Sequence, residues 1–192
     1  KYCYAEGGCY NQNRKLMNFD TAEKFIDFCV KTFDSINQII FFGGEPLLNI
    51  PVMEFICKKF KSNYEEKRSS LNPYFGMITN GTLYSEKVLE FIKEHISIIT
   101  VSIDGPEDIN DENRIFKDGR GSYQKIAKFI HALSHIENLV LQYESTYTKS
   151  HIDRGYSHLD IIRSLHEEFN INGFISDEFE SLSENFTNEL KS

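Results

Sequence analysis

The stretch Ile39-Ile40-Phe41-Phe42-Gly43-Gly44-Glu45-Pro46-Leu47-Leu48 decides the fold, because it reads as a strand that ends in a ligand-binding turn. Four apolar residues in a run, several of them β-favouring, predict a fully buried strand. Gly43 and Gly44 then let the backbone turn sharply and leave room for a ligand to approach closely, while Pro46 blocks further ladder pairing. Glu45 is thereby placed as a carboxylate at the mouth of a sheet. In parallel α/β folds that edge, formed by the carboxyl ends of the strands, is where ligands bind. Taken alone, the turn equally suits a loop whose glutamate faces water.

On either side of this strand the pattern becomes helical. Lys1 to Asn18 has no period and reads as a loop. Asp20, with Glu23 three residues on, is predicted to cap a first helix whose face carries Ala22, Phe25, Ile26, Cys29 and Phe33. Asn49 and Pro51 supply the cap and first turn of a second helix, with a stripe of Met53, Ile56, Cys57 and Phe60. A strand from Pro73 to Thr79 ends in the Asn80-Gly81 turn, and Ser85 caps a third helix. Ile96 to Ile103 is rich in β-branched residues and stops at Asp104-Gly105-Pro106. A polar loop from Glu107 to Gly121 follows, then a helix capped by Ser122, a strand from Asn138 to Thr148, a helix from Ser157 to Phe169 and a short strand from Gly173 to Ser176.

Strands and helices alternate throughout, and the helices are long enough for right-handed crossovers. The expected fold is therefore α/β, a parallel sheet with outer helices. A closed eight-unit barrel takes about 250 residues. Five units cannot close one, so the expectation is a partial (β/α) barrel of the TIM type, spanning residues 1–178 and followed by a polar end at 179–192.

The chain has 192 residues, with 21 Lys plus Arg against 29 Asp plus Glu and a formal charge of −8. That balance argues against nucleic acid or an anionic membrane as the main partner. With no apolar run near the roughly 20 residues of a membrane span and no signal peptide, the expected location is the cytoplasm. Four cysteines, at positions 3, 9, 29 and 57, lack the spacing of a disulfide framework. The chain opens on lysine, inside what reads as a motif, and is expected to be cut at its front.

On the carboxyl ends of the predicted strands fall Gly43-Gly44-Glu45, Thr79-Asn80-Gly81, Ser102 with Asp104, and Glu144 to Thr148. Carboxylates, an amide, hydroxyls and glycines converge on one rim. The mix suits a ligand with hydroxyls and an amino group, such as a ribose joined to an amino acid. It does not suit a polyphosphate, since no glycine-rich loop with lysine opens a helix.

The opening Lys1-Tyr2-Cys3-Tyr4 would reach the same rim. Tyr2-Cys3 resembles the end of the C-x-x-x-C-x-aromatic-C motif of radical S-adenosylmethionine enzymes, whose three cysteines ligate a [4Fe-4S] cluster. The Gly43-Gly44-Glu45-Pro46 turn, Thr79-Asn80-Gly81 and Ser102-Ile103-Asp104-Gly105 are similar to segments of the branch that modifies peptides and sulfatases. Tyr2-Cys3-Tyr4-Ala5 with Gly7-Gly8, Glu144-Ser145-Thr146-Tyr147-Thr148 and Gly155-Tyr156-Ser157 resemble the maturases of six-cysteine peptides, which form thioether crosslinks. The resemblance runs from Lys1 to about Phe179.

The resemblance implies Cys3 as a cluster ligand. It also implies a site for S-adenosylmethionine in which Gly43, Gly44 and Glu45 receive the methionine amino group, Tyr2 borders the adenine, Asn80 belongs to the same rim, and Ser102 with Asp104 borders the ribose. One electron from a donor, passed through the cluster, would cleave the sulfonium to a 5′-deoxyadenosyl radical that takes hydrogen from a peptide substrate. The sequence departs from the family pattern in lacking the first two cluster cysteines and the cysteine-rich C-terminal extension. Cys9 is off the pattern, and Cys29 and Cys57 fall on apolar helix stripes as small buried hydrophobes. Two other readings stand beside the radical enzyme: a non-catalytic or peptide-binding partial barrel, and an unrelated α/β enzyme using Glu45 and Asp104 for acid–base work. His95 and His166 are expected at the surface or its boundary, and Arg114 and Arg120 are expected to be solvated.

Overall fold

The structure is a computed structural model that describes residues 15–177. The elements run in order: α1 (Phe19–Thr32), β1 (Gln38–Phe41), a 3-10 turn (Pro46–Asn49), α2 (Ile50–Glu65), β2 (Tyr74–Thr79), α3 (Glu86–His95), β3 (Ile98–Ser102), α4 (Glu107–Asn113), α5 (Tyr123–Leu133), β4 (Val140–Tyr147), α6 (Lys149–Asp153), α7 (His158–Phe169) and β5 (Asn172–Asp177). The strands form one parallel sheet in the order β1-β2-β3-β4-β5. Because that order never reverses, right-handed crossovers place the helices on a single face. This is the arrangement of a barrel wall, as expected, rather than of a doubly wound sheet.

The core lies between the sheet and those helices. Ile99 and Val101 of β3 are fully buried together with Ile126 and Phe129 of α5 and Ile161 and Leu165 of α7. Successive strand residues point to opposite faces. The alternate set therefore lines the other face, which is polar toward the ends of β3 and β4, with Thr100, Ser102, Gln142, Glu144 and Thr146, and apolar on β1 and β2, with Ile40 and Ile78. Strands β3 and β4 are thus apolar on the helix side alone.

Strand β1 is not the fully buried strand its composition predicts. Ile40 and Phe42 are 51% and 56% exposed. Among the described residues β1 pairs with β2 alone, so it is a sheet edge with an open inner side. On α1, Ala22, Ile26 and Cys29 are buried while Phe25 and Phe33 are exposed, so the buried stripe is narrower than the sequence suggests.

The helix starts follow local hydrogen bonding. Asn18 rather than Asp20 caps α1, its side-chain oxygen accepting the Thr21 N–H at 2.8 Å. Ser85 caps α3 and Ser157 caps α7 as expected, Ser157 within a capping box completed by Asp160. Asn49 precedes α2 without capping it and donates to the Met17 carbonyl at 2.9 Å. Ser122 likewise spends its hydroxyl on the Arg114 carbonyl at 2.6 Å, and Asp111 takes the Tyr123 N–H at 2.8 Å. The stretch Glu107 to Gly121 is more than a polar loop, since it contains α4, anchored by fully buried Ile109.

Candidate functional site: the rim at the strand ends

The turn after β1 holds Glu45 in one place. Its Oε1 accepts the Leu47 N–H at 3.0 Å and the Thr79 hydroxyl at 2.8 Å, and its Oε2 accepts the Asn80 N–H at 2.8 Å. The carboxylate therefore bridges the ends of β1 and β2. An ionised carboxylate has about four acceptor positions, so one stays open. Burial pushes the Glu45 carboxyl above its ordinary range, with the three hydrogen bonds working in the opposite direction. Among the described residues no lysine or arginine pairs with it. A half-buried carboxylate held by neutral donors alone can still accept a bond from a cation.

Beside it, the β1 edge and α1 enclose a groove of about 440 Å³ whose lining includes Met17, Phe25, Phe42, Gly43, Gly44 and Glu45. Asn80 accepts from the Thr82 N–H and hydroxyl at 2.9 and 2.6 Å, which shapes the turn that Gly81 completes at φ +69°. A Cβ on Gly81 would come within 2.9 Å of Val101, so both the dihedral and the space require glycine.

Asp104 lies below the rim. It is fully buried, its Oδ1 paired with Arg114 Nη2 at 3.0 Å and accepting the Thr146 N–H at 3.2 Å. Its own N–H donates to Asn110 Oδ1 at 3.3 Å, and His151 Nε2 meets its carbonyl at 2.8 Å. His151 Nδ1 accepts the Thr148 N–H at 3.0 Å, leaving Nε2 to donate. The Asp104 side chain thus offers no surface to a ribose. It ties the β3 end to the β4 end.

Arg114 is correspondingly not solvated; its side chain is 20% exposed and is committed to Asp104. Arg120 is, pairing with Asp118 in the open. His95 lies at the surface boundary, as expected, at the end of α3, where burial lowers its pKa. Cys29 and Cys57 are buried, and burial pushes the Cys57 thiol up to about 12, far from the thiolate that metal binding requires.

Ser102 and Glu144 stand side by side in the β3–β4 register. Extending the β2–β3 register by one residue beyond Thr79 and Val101 sets Asn80 next to Ser102. The rim therefore gathers Gly43, Gly44, Glu45, Asn80 and Ser102, adds Glu144, and leaves Asp104 beneath. Tyr2 and Cys3 lie outside the described residues. Glu144 was legible only as part of the Glu144 to Thr148 stretch; its half-buried position comes from strand alternation, a signal the sequence does carry.

The family model described as the radical SAM superfamily matches residues 1–140. The chain belongs to the radical SAM superfamily. Members of this superfamily use a [4Fe-4S] cluster and S-adenosylmethionine. An uncharacterised protein of Methanocaldococcus jannaschii is 42% identical over 121 residues, which are 63% of this chain and 39% of that protein. A cysteine-type anaerobic sulfatase-maturating enzyme of Clostridium novyi is 29% identical over 162 residues, 81% of this chain and 42% of that one. The chain thus spans about two fifths of the length of these curated relatives. Among solved structures, native anSMEcpe with bound AdoMet and Cp18Cys peptide superposes with a TM-score of 0.75 at 20% identity, over 93% of this chain and 46% of that chain. At that identity the likeness shows the fold, a radical SAM barrel of which this chain forms part of the wall.

Proposed function

We propose that this chain is the S-adenosylmethionine-binding part of a radical SAM enzyme that modifies a ribosomally made peptide by forming thioether crosslinks. The observation that carries the reading is Glu45, a half-buried carboxylate with one acceptor position left and no cationic partner among the described residues. The ammonium of a methionine moiety supplies the missing charge and one N–H. The fit extends along the rim, where Asn80 and Ser102 present polar groups at successive strand ends.

A cluster held by Cys3 and further cysteines would supply the electron that cleaves the sulfonium, drawn from an external electron donor. What this chain's own residues do is hold and orient. The Glu45 carboxylate fixes the amino end of the cofactor, and the Asp104 carboxylate, paired with Arg114, accepts the Thr146 N–H and so holds the β3 and β4 ends together, with Ser102 facing the same ligand. The peptide substrate would lie across the inner face, which is apolar at β1 and polar at β3 and β4.

The test is anaerobic reconstitution of the full protein that carries this chain, followed by reduction in the presence of S-adenosylmethionine and a cysteine-rich peptide. The reading predicts 5′-deoxyadenosine and a peptide that has lost two hydrogens, with the loss placed at a cysteine by tandem mass spectrometry. Deoxyadenosine without any peptide change would retain cofactor cleavage and remove the crosslinking. Neither product would favour the non-catalytic partial barrel.

A further inference from the structure

We propose that the hairpin between α4 and α5, together with the start of α5, is a docking surface for an acidic segment of the peptide substrate. The inference rests on the peptide reading above and deepens it, because it names the chemistry of a part of the substrate that lies outside the modified residues.

The first observation is a reversal of charge. The chain carries −8, yet the stretch from Ile115 to His135 holds four cations, Lys117, Arg120, Lys125 and Lys128, against one acid, Asp118. All four cations are exposed. The acid is held inside the hairpin, where Asp118 accepts the Arg120 N–H at 3.1 Å and its Nε–H at 2.9 Å. A guanidinium has five N–H donors, so Arg120 keeps others for a ligand. Among the described residues neither Lys117 nor Lys125 belongs to an ion pair.

The second observation is a built concavity at the rim. The Phe116 N–H donates to the Arg120 carbonyl at 2.8 Å, the Gly119 N–H donates to the Phe116 carbonyl at 2.9 Å, and Ile115 bridges Gly121. At the base, Ser122 is bonded to Arg114, whose guanidinium pairs with Asp104 just past the end of β3. The hairpin therefore projects from the carboxyl end of β3, beside the polar part of the inner face. It lines a cavity of about 530 Å³ with Phe116, Lys117, Arg120, Gln124 and Lys125 in its wall. Lys125 Nζ lies 5.2 Å from the centre of the Phe116 ring. Carboxylates meet the cations there, and the ring accepts an apolar side chain.

These features select a short acidic peptide among anionic partners. Nucleic acid and anionic membranes present many charges over a wide area, which the acidic remainder of the chain repels. Glu107, bonded to Gln124 at 3.0 Å, limits the positive surface on the α4 side. A concavity of this size takes a few side chains rather than the face of a folded protein. An acidic segment seated here, continuous with residues on the inner face, would hold the reacting part of the substrate at high effective concentration.

The experiment uses the full protein with its cluster reconstituted and two fluorescein-labelled peptides. One is a cysteine-rich core extended at both ends by Glu-Glu-Phe-Glu-Glu; the other has glutamine in place of each of those glutamates. Anisotropy at low ionic strength is expected to show the glutamate peptide bound roughly fivefold or more tightly, as several exposed ion pairs together allow, and about 0.5 M salt is expected to remove the difference. In the combined variant Lys117→Gln, Arg120→Gln and Lys125→Gln the preference falls below about twofold. Calorimetric binding of S-adenosylhomocysteine to that variant stays at the wild-type value. A control combining Lys24→Gln, Lys31→Gln and Lys58→Gln removes the same charge from exposed positions on α1 and α2, and keeps the preference. No preference in wild type, a preference that survives the hairpin variant, or one lost equally in the control overturns the proposal. Slower reduction of the hairpin variant by an acidic redox protein, with peptide binding unchanged, overturns it in favour of the electron donor. Binding is read without turnover, so a peptide that docks through the hairpin and gains no crosslink removes the thioether reading and leaves the docking surface standing.

Discussion

The Glu45 carboxylate reaches from the turn after β1 to the end of β2, where its Oε2 accepts the Asn80 N–H at 2.8 Å. This one bond ties two strand ends together, and it joins the Gly43-Gly44-Glu45 turn to the Asn80-Gly81 turn. The glutamate is a structural clamp that keeps one acceptor position open, and the proposed function gives that position to the cofactor. That double role determines how variants must be read.

Thr79→Val removes the hydroxyl that donates to Glu45 Oε1 at 2.8 Å and keeps the shape of the side chain. The carboxylate then loses a donor inside a buried site, so the variant is expected to be destabilised by about 1.5–3 kcal/mol. Urea denaturation of variant and wild type measures it. An unchanged midpoint would mean that this bond carries no stability.

The raised Glu45 carboxyl fixes the sign of a pH effect. The folded state holds the Glu45 proton more tightly than the unfolded state, whose value is about 4.3. Its contribution is therefore largest below the unfolded value, falls as pH rises through the window up to the folded value, and is flat above it. The stability difference between wild type and Glu45→Gln is expected to shift against wild type across that window and then level off. Chemical denaturation at a series of pH values checks this. A difference that rises with pH would show a lowered carboxyl.

Arg114→Met leaves the Asp104 carboxylate fully buried without the guanidinium now 3.0 Å away. Removing one partner of a buried pair costs about 3–5 kcal/mol. The double variant Asp104→Asn with Arg114→Met is expected to recover part of that loss, because the uncompensated charge is gone. Denaturant melts of the two variants decide it; equal losses would show that charge burial is not the cause.

Gly81→Ala forces a side chain onto a residue at φ +69° and sets its Cβ within 2.9 Å of Val101. Left-handed backbone costs an L-residue about 1–2 kcal/mol before any clash. The expected result is a loss of at least that size, together with weaker cofactor binding because the turn that carries Asn80 shifts. A neutral melt would contradict the geometry.

Much of the fold was legible because each strand and helix announces itself locally. The caps Ser85 and Ser157, the turns at Asn80-Gly81 and Asp104-Gly105-Pro106, and the alternation of apolar runs with helical stripes depend on neighbours in sequence. What stayed hidden depends on distant ones. Thr79 meets Glu45 across 34 residues and Thr146 meets Asp104 across 42, so neither the clamp nor the burial of Asp104 follows from a motif. Arg114 read as solvated because its partner is set by the folding of α4, a helix that its polar sequence conceals. The run Ile39 to Phe42 read as buried because composition cannot distinguish a central strand from an edge. The cap of α1 moved to Asn18 because two polar residues compete there, and backbone dihedrals choose between them.

The central claim is that the rim recognises the amino end of S-adenosylmethionine through Glu45, and the most direct measurement leaves the protein untouched. Anaerobic calorimetric titration of the reconstituted full protein compares S-adenosylmethionine with an analogue in which the methionine amino group is replaced by hydrogen. Loss of a charge-assisted bond to a half-buried carboxylate predicts roughly tenfold or greater weakening for the analogue. Equal affinity for the two would contradict the account, and leave Glu45 as a clamp between β1 and β2 alone.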